Sequence, residues 1–177
     1  MSGLHYKDEQ TQIHSGLAAP LVGFAILILA VLGLSAYWWN IARIPSCSSG
    51  HLKLTLGQPQ GAAGTSYMDA ILTNSGAGSC KIAGYPTVFL ADGSGTIQGL
   101  GAATSFEKTP TSFTLASNKS AHALLGFPDE TSFQPGICSA ASKLLKVYPP
   151  GQTTALQTSF TQYSCPGFLV TALQPGT

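Results

Sequence analysis

The stretch that decides the fold is His51-Leu52-Lys53-Leu54-Thr55-Leu56. Its polar and apolar residues alternate strictly, so an extended chain places the three leucines on one face and the polar side chains on the other. This alternation is typical of a β-strand with one face buried in a core and the other face in water.

Short apolar segments separated by turn signals continue from this strand to the end of the chain, and no stretch of helical period dominates. The predicted strands are residues 51–56, 67–73, 80–83, 87–90, 96–100, 112–115, 121–127, 144–148, 154–160 and 168–173. Pro86 indicates a bend or a sheet edge, residues 128–135 a long loop, and residues 138–142 a helical turn. Many short strands at this spacing predict an all-β fold of two packed sheets.

Upstream of the strands, residues 17–39 form a run of 23 residues without a charge. As a helix this run would be about 34 Å long, which is enough to cross a bilayer. It ends at Tyr37, Trp38 and Trp39, whose amphipathic rings favour the headgroup level of a membrane. The sequence therefore predicts a single transmembrane helix at 17–39 that contacts membrane lipid, with a short tail at 1–16 and a short linker at 40–46.

Two other interpretations of the apolar run stay open. A cleaved signal peptide would need a more basic start and a core of roughly 7 to 15 apolar residues, and only Ser35-Ala36 resembles a cleavage site. A lipid-anchored cysteine would follow the apolar core directly, whereas Cys47 comes after Arg43 and the residues that follow it. We expect an uncleaved anchor.

All of the cysteines, Cys47, Cys80, Cys138 and Cys165, lie downstream of the apolar run. An even number of cysteines in that position is typical of an oxidising compartment, and four cysteines can pair in three ways. The charges that flank the run do not choose an orientation. The cysteines favour a single-pass protein of the cell membrane with a cytoplasmic N-terminus and an extracytoplasmic domain at 47–177.

The stretch Cys80-Lys81-Ile82-Ala83-Gly84-Tyr85-Pro86, preceded by Leu72-Thr73-Asn74, resembles a family of extracytoplasmic domains of unknown function found mainly in actinobacterial secreted proteins and lipoproteins. The resemblance covers most of residues 47–173, including Pro149 and the order of the cysteines. It departs at Asn118-Lys119 and Phe127, where the family tends to carry Pro-Gly and a Trp.

This resemblance implies an immunoglobulin-like β-sandwich at the cell envelope and carries no activity over to the chain. It also favours disulfides between Cys47 and Cys80 and between Cys138 and Cys165, since these pairs follow the order of the family and join cysteines that are close in sequence. Each bridge closes a loop of roughly 30 residues and stabilises the fold by about 3 to 4 kcal/mol.

Composition removes several classes of function. Charged residues make up 8% of the chain and the formal net charge is +1, so the basic surface of a nucleic-acid-binding protein is not expected. Zinc sites use closely spaced ligand pairs, and the cysteines are far apart, with Cys47 and His51 as an isolated pair. Gly93, Gly95, Gly99 and Gly101 lack the Lys-Ser/Thr of a phosphate-binding loop and indicate turns. The sequence predicts no metal and no cofactor.

These features predict a membrane-anchored binding or structural module of the cell envelope without catalytic activity. Its partner would be an envelope protein, peptide or polymer, bound by loops at one end of the sandwich or by a free sheet edge. The aromatic candidates for a binding surface are Tyr85, Phe106, Phe113 and Tyr163.

Two alternatives remain beside this prediction. One is a small envelope hydrolase centred on His122 or His51 with Asp69 or Asp92, although the sequence has no G-x-S-x-G motif and its carboxylates Asp129 and Glu130 are adjacent in a loop. The other is an accessory subunit whose apolar helix docks on an integral membrane complex.

Overall fold

A computed structural model of the chain describes residues 23–24, 26–34, 44–105 and 107–176. Residues 23–24 and 26–34 are helical, and their large apolar side chains are exposed. Among the described residues, no helix has both the length and the apolar character that a membrane crossing requires. The tail at 1–16, most of the segment at 17–39 with Tyr37, Trp38 and Trp39, and residues 40–43 of the linker lie outside the described residues, so the anchor stays a prediction.

Residues from Ile44 onward form a separate compact unit built almost wholly of β-strands, which confirms the predicted all-β class. The strands are β1 (Leu52–Leu56), β2 (Gln60–Ala62), β3 (Thr65–Asn74), β4 (Cys80–Ile82), β5 (Thr87–Ala91), β6 (Ile97–Gln98), β7 (Ala103–Ser105), β8 (Phe113–Leu115), β9 (Ser120–Pro128), β10 (Leu144–Tyr148), β11 (Leu156–Ser159), β12 (Leu169–Thr171) and β13 (Gln174–Pro175). Two short 3-10 turns interrupt them, at Ser49–His51 and Glu130–Ser132.

The strands pair into two main sheets and one short ladder. The larger sheet has the order β1-β3-β9-β12-β7, with β2 beside β3 and β13 beside β9. The smaller sheet has the order β11-β10-β5-β6, and β4 pairs with β8 as a separate two-stranded ladder. All pairs are antiparallel except β12 with β7, which run parallel.

One hydrophobic cluster joins side chains from all three sets of strands. The larger sheet contributes Leu72, Leu125, Phe127 and Val170, the smaller sheet Val88, Leu90, Leu145 and Val147, and the ladder Ile82 and Leu115. Phe127 stacks on Phe168 at a centroid distance of 4.7 Å and contacts Phe160 at 5.0 Å. Complete burial of each Leu, Val or Phe side chain stabilises the fold by about 1.5 to 3 kcal/mol, so this shared core holds the sheets together.

Strand alternation explains where the sequence prediction succeeds. In β3 the residues from Met68 to Asn74 alternate between buried and half-buried, and β10 coincides with the predicted 144–148. The sequence missed β2, β7 and β13, which are two or three residues long and have no alternating pattern. The predicted strand at 96–100 is shortened to β6 because Gly99 has a φ of +71° and leaves the extended conformation.

The predicted helical turn at 138–142 is wrong. The amide of Ser139 donates to the carbonyl of Ser164 at 3.0 Å, and the amide of Ser142 donates to the carbonyl of Gln162 at 2.9 Å. These bonds to a distant segment use the amides that a helical turn would need, so residues 138–142 form neither a helix nor a strand. The loop predicted at 128–135 contains the 3-10 turn Glu130–Ser132.

The strand registers define two ends of the domain. At one end of the domain β3 finishes and β9 begins, and Ser49 Oγ donates there to the carbonyl of Thr154. We call this the lower end; it carries residues 45–51, 75–79, 116–119 and 150–154. The opposite, upper end carries the β2–β3 turn at 63–64, residues 99–101, residues 129–139 and residues 163–167.

Candidate functional site

The upper end of the domain exposes large apolar side chains. Leu100 is 80% exposed, Ile137 53% and Tyr163 39%. We call these three residues the upper face. Such side chains are normal singly on a protein surface, but a group of them beside concave surface marks a candidate interaction site.

Two cavities adjoin the upper face, and each is lined by one half of the Cys138–Cys165 disulfide. The first has a volume of about 190 Å³ and is lined by Leu100, Ile137, Ser139, Ser164, Cys165 and Phe168, among others. The second has a volume of about 350 Å³ and is lined by Glu130, Phe133, Pro135, Gly136, Cys138 and Tyr163, among others. The first cavity is smaller than the roughly 300 to 1,000 Å³ of typical small-molecule pockets.

Two glycines bring Leu100 to this surface. A Cβ on Gly99 would lie 2.5 Å from Ser164 Oγ, and a Cβ on Gly101 would lie 2.6 Å from the Phe89 ring. Both positions therefore require the backbone to pass closer to its neighbours than any other residue allows. These glycines serve close packing, and they present the side chain of Leu100 between them to solvent.

The Cys138–Cys165 disulfide fixes the loops on which the upper face is built. It joins residues 27 positions apart, and Ser139 donates from its amide to Ser164 next to it. The loop that carries Ile137 is thereby tied to the loop that carries Tyr163. A preorganised surface loses less conformational entropy when a partner binds.

The lower end has a different construction, centred on the side chain of Asn74. Its Nδ2 donates to the carbonyls of Gly78 at 2.8 Å and Leu115 at 2.9 Å, and its Oδ1 accepts from the amide of Gly76 at 2.9 Å. Asn74 is 1% exposed. It therefore satisfies polar backbone groups of two segments, the turn at 75–79 and β8, from within the fold, and this explains the Thr-Asn of the sequence pattern as a structural element.

The chain enters the domain at the lower end, where two backbone hydrogen bonds join the entering segment to Lys81. The amide of Lys81 donates to the carbonyl of Pro45 at 2.7 Å, and the amide of Cys47 donates back to Lys81 at 2.9 Å. Next to this ladder, Cys47 and Cys80 form a disulfide. This bridge and the Cys138–Cys165 bridge both join the cysteines that the family resemblance favoured.

The Gly-Tyr-Pro block also has structural contacts. Gly84 has a φ of +104° and accepts a hydrogen bond from the amide of Leu173 at 3.0 Å. The hydroxyl of Tyr85 donates to the carbonyl of Lys108 at 3.3 Å. Pro86 is buried at the bend where the chain leaves β4 for β5. A bend was one of the two outcomes predicted from this proline, and the chain bends at Gly84, two residues before it.

The candidate hydrolase residues lie on separate elements. His122 is on β9 between Ile71 of β3 and Gln174 of β13, and its Nδ1 hydrogen-bonds the carbonyl of Gly176. His51 ends a 3-10 turn at the lower end. In the hydrogen bonds of the described residues, neither imidazole contacts a carboxylate.

Asp92 caps its own turn at the upper end. Its Oδ1 accepts from Ser94 Oγ at 2.6 Å, from the amide of Ser94 at 2.9 Å and from the amide of Thr96 at 2.9 Å. The hydrogen bond from the Ser94 hydroxyl, followed by that from the Thr96 amide, lowers the pKa of this carboxyl below its ordinary value. Within the described residues no three His, Cys, Asp or Glu side chains gather as metal ligands would.

Of the aromatic candidates, Tyr163 belongs to the upper face, Phe113 packs against the core, and Phe106 lies outside the described residues. Leu100 and Ile137 were not predicted from the sequence as surface residues of a site. The only local signal for Leu100 was an apolar residue between two glycines, and for Ile137 an apolar residue directly after Pro-Gly.

Comparison with known proteins gives one family. No curated protein and no solved structure matches the chain significantly. Residues 47–174, which are most of the chain and contain all four cysteines, match a family described as a domain of unknown function. The chain therefore belongs to the DUF4232 family of domains of unknown function.

Proposed function

We propose that this chain is a membrane-anchored binding module of the bacterial cell envelope, and that its upper face recognises another envelope protein. The observation that carries the proposal is the group of exposed apolar side chains, Leu100, Ile137 and Tyr163, on loops fixed by a disulfide. Rigid surfaces of this kind are typical of protein recognition sites.

Of the two cavities beside the upper face, the one of about 350 Å³ falls within the size range of small-molecule pockets, and the smaller one favours a protein partner. The cavity beside Leu100 is about 190 Å³, which suits one inserted side chain better than a whole cofactor or metabolite. Its lining combines apolar side chains with the side chains of Ser139 and Ser164. Protein–protein interfaces likewise combine apolar and polar groups.

The anchor and the location rest on sequence and disulfides. Two disulfides favour an oxidising compartment, and the uncharged run at 17–39 is long enough to span a bilayer. In this proposal residues 1–16 are cytoplasmic, residues 17–39 cross the membrane, and residues 47–177 lie outside. The lower end, where the chain enters the domain, then faces the membrane and leaves the upper face free.

We further infer that the domain is an immunoglobulin-like sandwich. A single core cluster shared by a larger and a smaller sheet, each mostly antiparallel, supports this architecture. The resemblance to actinobacterial envelope domains agrees with the same setting.

Co-purification tests the binding surface. The tagged full chain is extracted from its own host in mild detergent, as wild type, as the double variant Leu100→Ser/Ile137→Ser, and as Ile44→Ser. Ile44 is 41% exposed at the start of the domain, so its substitution is a matched control away from the upper face. We expect a defined partner whose recovery falls about 30-fold or more in the double variant, since loss of a binding hot spot costs about 2 kcal/mol or more.

The result that contradicts the binding surface is equal recovery of the same partners with all three chains. The anchor has its own test in the same cells. The chain should stay in the membrane fraction through a carbonate wash and should keep its intact mass. An impermeant amine reagent should reach the lysines of the domain at 47–177. Release by carbonate, loss of the first 36 residues, or protection from the reagent would contradict it.

A further inference from the structure

The lysines of the domain are distributed unequally. Lys119 is exposed at the lower end, and Lys53 and Lys81 are exposed on β1 and β4 directly next to it. Lys53 pairs with Thr73, next to Asn74, and Asn74 in turn donates its amide to the carbonyl of Lys119 at 2.9 Å. Lys81 is hydrogen-bonded to Pro45 where the chain enters the domain. Strand register and backbone hydrogen bonds thus bring the three cations, which are far apart in sequence, to the same end.

No carboxylate accompanies them. Residues 44–57, 70–86 and 113–124, which build the lower end and the adjoining strands, contain no Asp or Glu. The acidic residues of the described chain are Asp69, Asp92, Glu107, Asp129 and Glu130, all outside those ranges. In a chain with a net charge of only +1, this end is therefore a local concentration of positive charge.

We infer that the lower end of the domain docks on the anionic phospholipid headgroups of the membrane that holds the chain. The inference rests on the proposed function, since the anchor brings this end to the bilayer. Linker residues 40–46 span at most about 25 Å, so the lysines stay within reach of the headgroups. The docked end holds the upper face away from the membrane, toward its partner.

The strength of the attraction follows from the number of lysines. Each lysine near an anionic surface strengthens attraction about fivefold, so three give roughly 100-fold over a zwitterionic surface. The attraction should weaken in high salt, where charges are screened within a few ångströms.

Lysine acylation in nanodiscs tests this inference on the full chain. The chain is inserted into discs of phosphatidylcholine alone and into discs with about one third phosphatidylglycerol, and the acylation rate of each lysine is measured by mass spectrometry. We expect Lys53, Lys81 and Lys119 to react at least fivefold more slowly in the anionic discs. Lys143, which is exposed beside Ala91 at the end of β10 opposite the lower end, should react equally in both discs.

A variant and a salt control complete the test. Lys119→Gln should restore part of the reactivity of Lys53 and Lys81 in anionic discs, Lys143→Gln should not, and 0.5 M NaCl should abolish the difference between the discs. Equal rates in both discs, or slowing of all lysines alike, overturn the inference and leave the anchor intact. A chain that does not enter the discs at all overturns the anchor and this inference together.

Discussion

The two ends of the domain use the same kind of crosslink for different purposes. At the lower end, Cys47 and Cys80 belong to the hydrophobic core cluster, beside the buried Asn74. At the upper end, Cys138 and Cys165 lie outside that cluster, although Cys165 is itself buried, and each of them lines one surface cavity. The difference indicates that the lower bridge holds the fold together, whereas the upper bridge gives a fixed shape to exposed loops.

Removal of each disulfide should separate these purposes and have the largest effects. The loops closed are similar, 33 and 27 residues, so chain entropy predicts about 3 to 4 kcal/mol for each bridge. Cys47→Ala/Cys80→Ala also removes buried core atoms, and we expect a loss of about 4 to 5 kcal/mol. Cys138→Ala/Cys165→Ala should cost about 3 kcal/mol and weaken partner binding more than its stability loss explains. Urea unfolding of the chain in detergent measures the two losses of stability, and co-purification measures partner binding. Equal losses of stability with unchanged binding would contradict the distinction between the bridges.

Asn74→Ala tests the lower end without touching a disulfide. It leaves the carbonyls of Gly78 and Leu115 and the amide of Gly76 without their partner, so we expect a loss of about 3 kcal/mol in the free energy of unfolding. The control is Asn118→Gly at the same end. Asn118 is exposed with a φ of +60°, which glycine adopts freely, so this change should be neutral or slightly stabilising. A loss below about 1 kcal/mol for Asn74→Ala would show that other groups satisfy these atoms.

Gly99→Ala tests the close packing beneath the upper face. The new Cβ meets the hydroxyls of Ser164 and Ser139 at 2.5 and 2.8 Å, and the φ of +71° adds strain, so we expect a loss of about 2 to 3 kcal/mol. Gly136→Ala is the matched control, since its φ is +84° and no atom lies within 4 Å of the new Cβ. It should cost about 1 kcal/mol from the backbone alone. Thermal unfolding measures the stability of both variants. Equal losses for Gly99→Ala and Gly136→Ala would contradict the packing argument.

Asp92→Asn should have the smallest effect of the series. Because hydrogen bonds lower the pKa of Asp92 in the folded state, its ionised form stabilises the fold above the ordinary carboxyl pKa of about 3.9. That contribution is lost as the pH falls through the lower pKa of the folded state. The midpoint of thermal unfolding should therefore differ slightly between wild type and variant at neutral pH, and the difference should shrink in acid. A difference that grows in acid would contradict the hydrogen-bond assignment.

The sequence predicts what depends on local alternation and fails where distant segments decide. β1, β3 and β10 follow from residues that alternate along their own strand. The error at 138–142 arose because the partner of Ser139 is Ser164, which no local pattern reveals. The exposure of Leu100 likewise depends on contacts of Gly99 with Ser164 and of Gly101 with Phe89. Thr73-Asn74 belongs to the pattern shared with the family, but the hydrogen bonding of the buried Asn74 depends on Leu115 from a different strand.

Site-specific photocrosslinking in living host cells tests the central claim most directly. A photoreactive amino acid replaces Tyr163 at the upper face in one chain and Ala116, which is exposed at the lower end, in another. We predict a protein adduct of defined mass from position 163, absent when Leu100→Ser/Ile137→Ser is added, and no such adduct from position 116. An adduct from position 116 alone, or none from position 163, would contradict the assignment of recognition to the upper face.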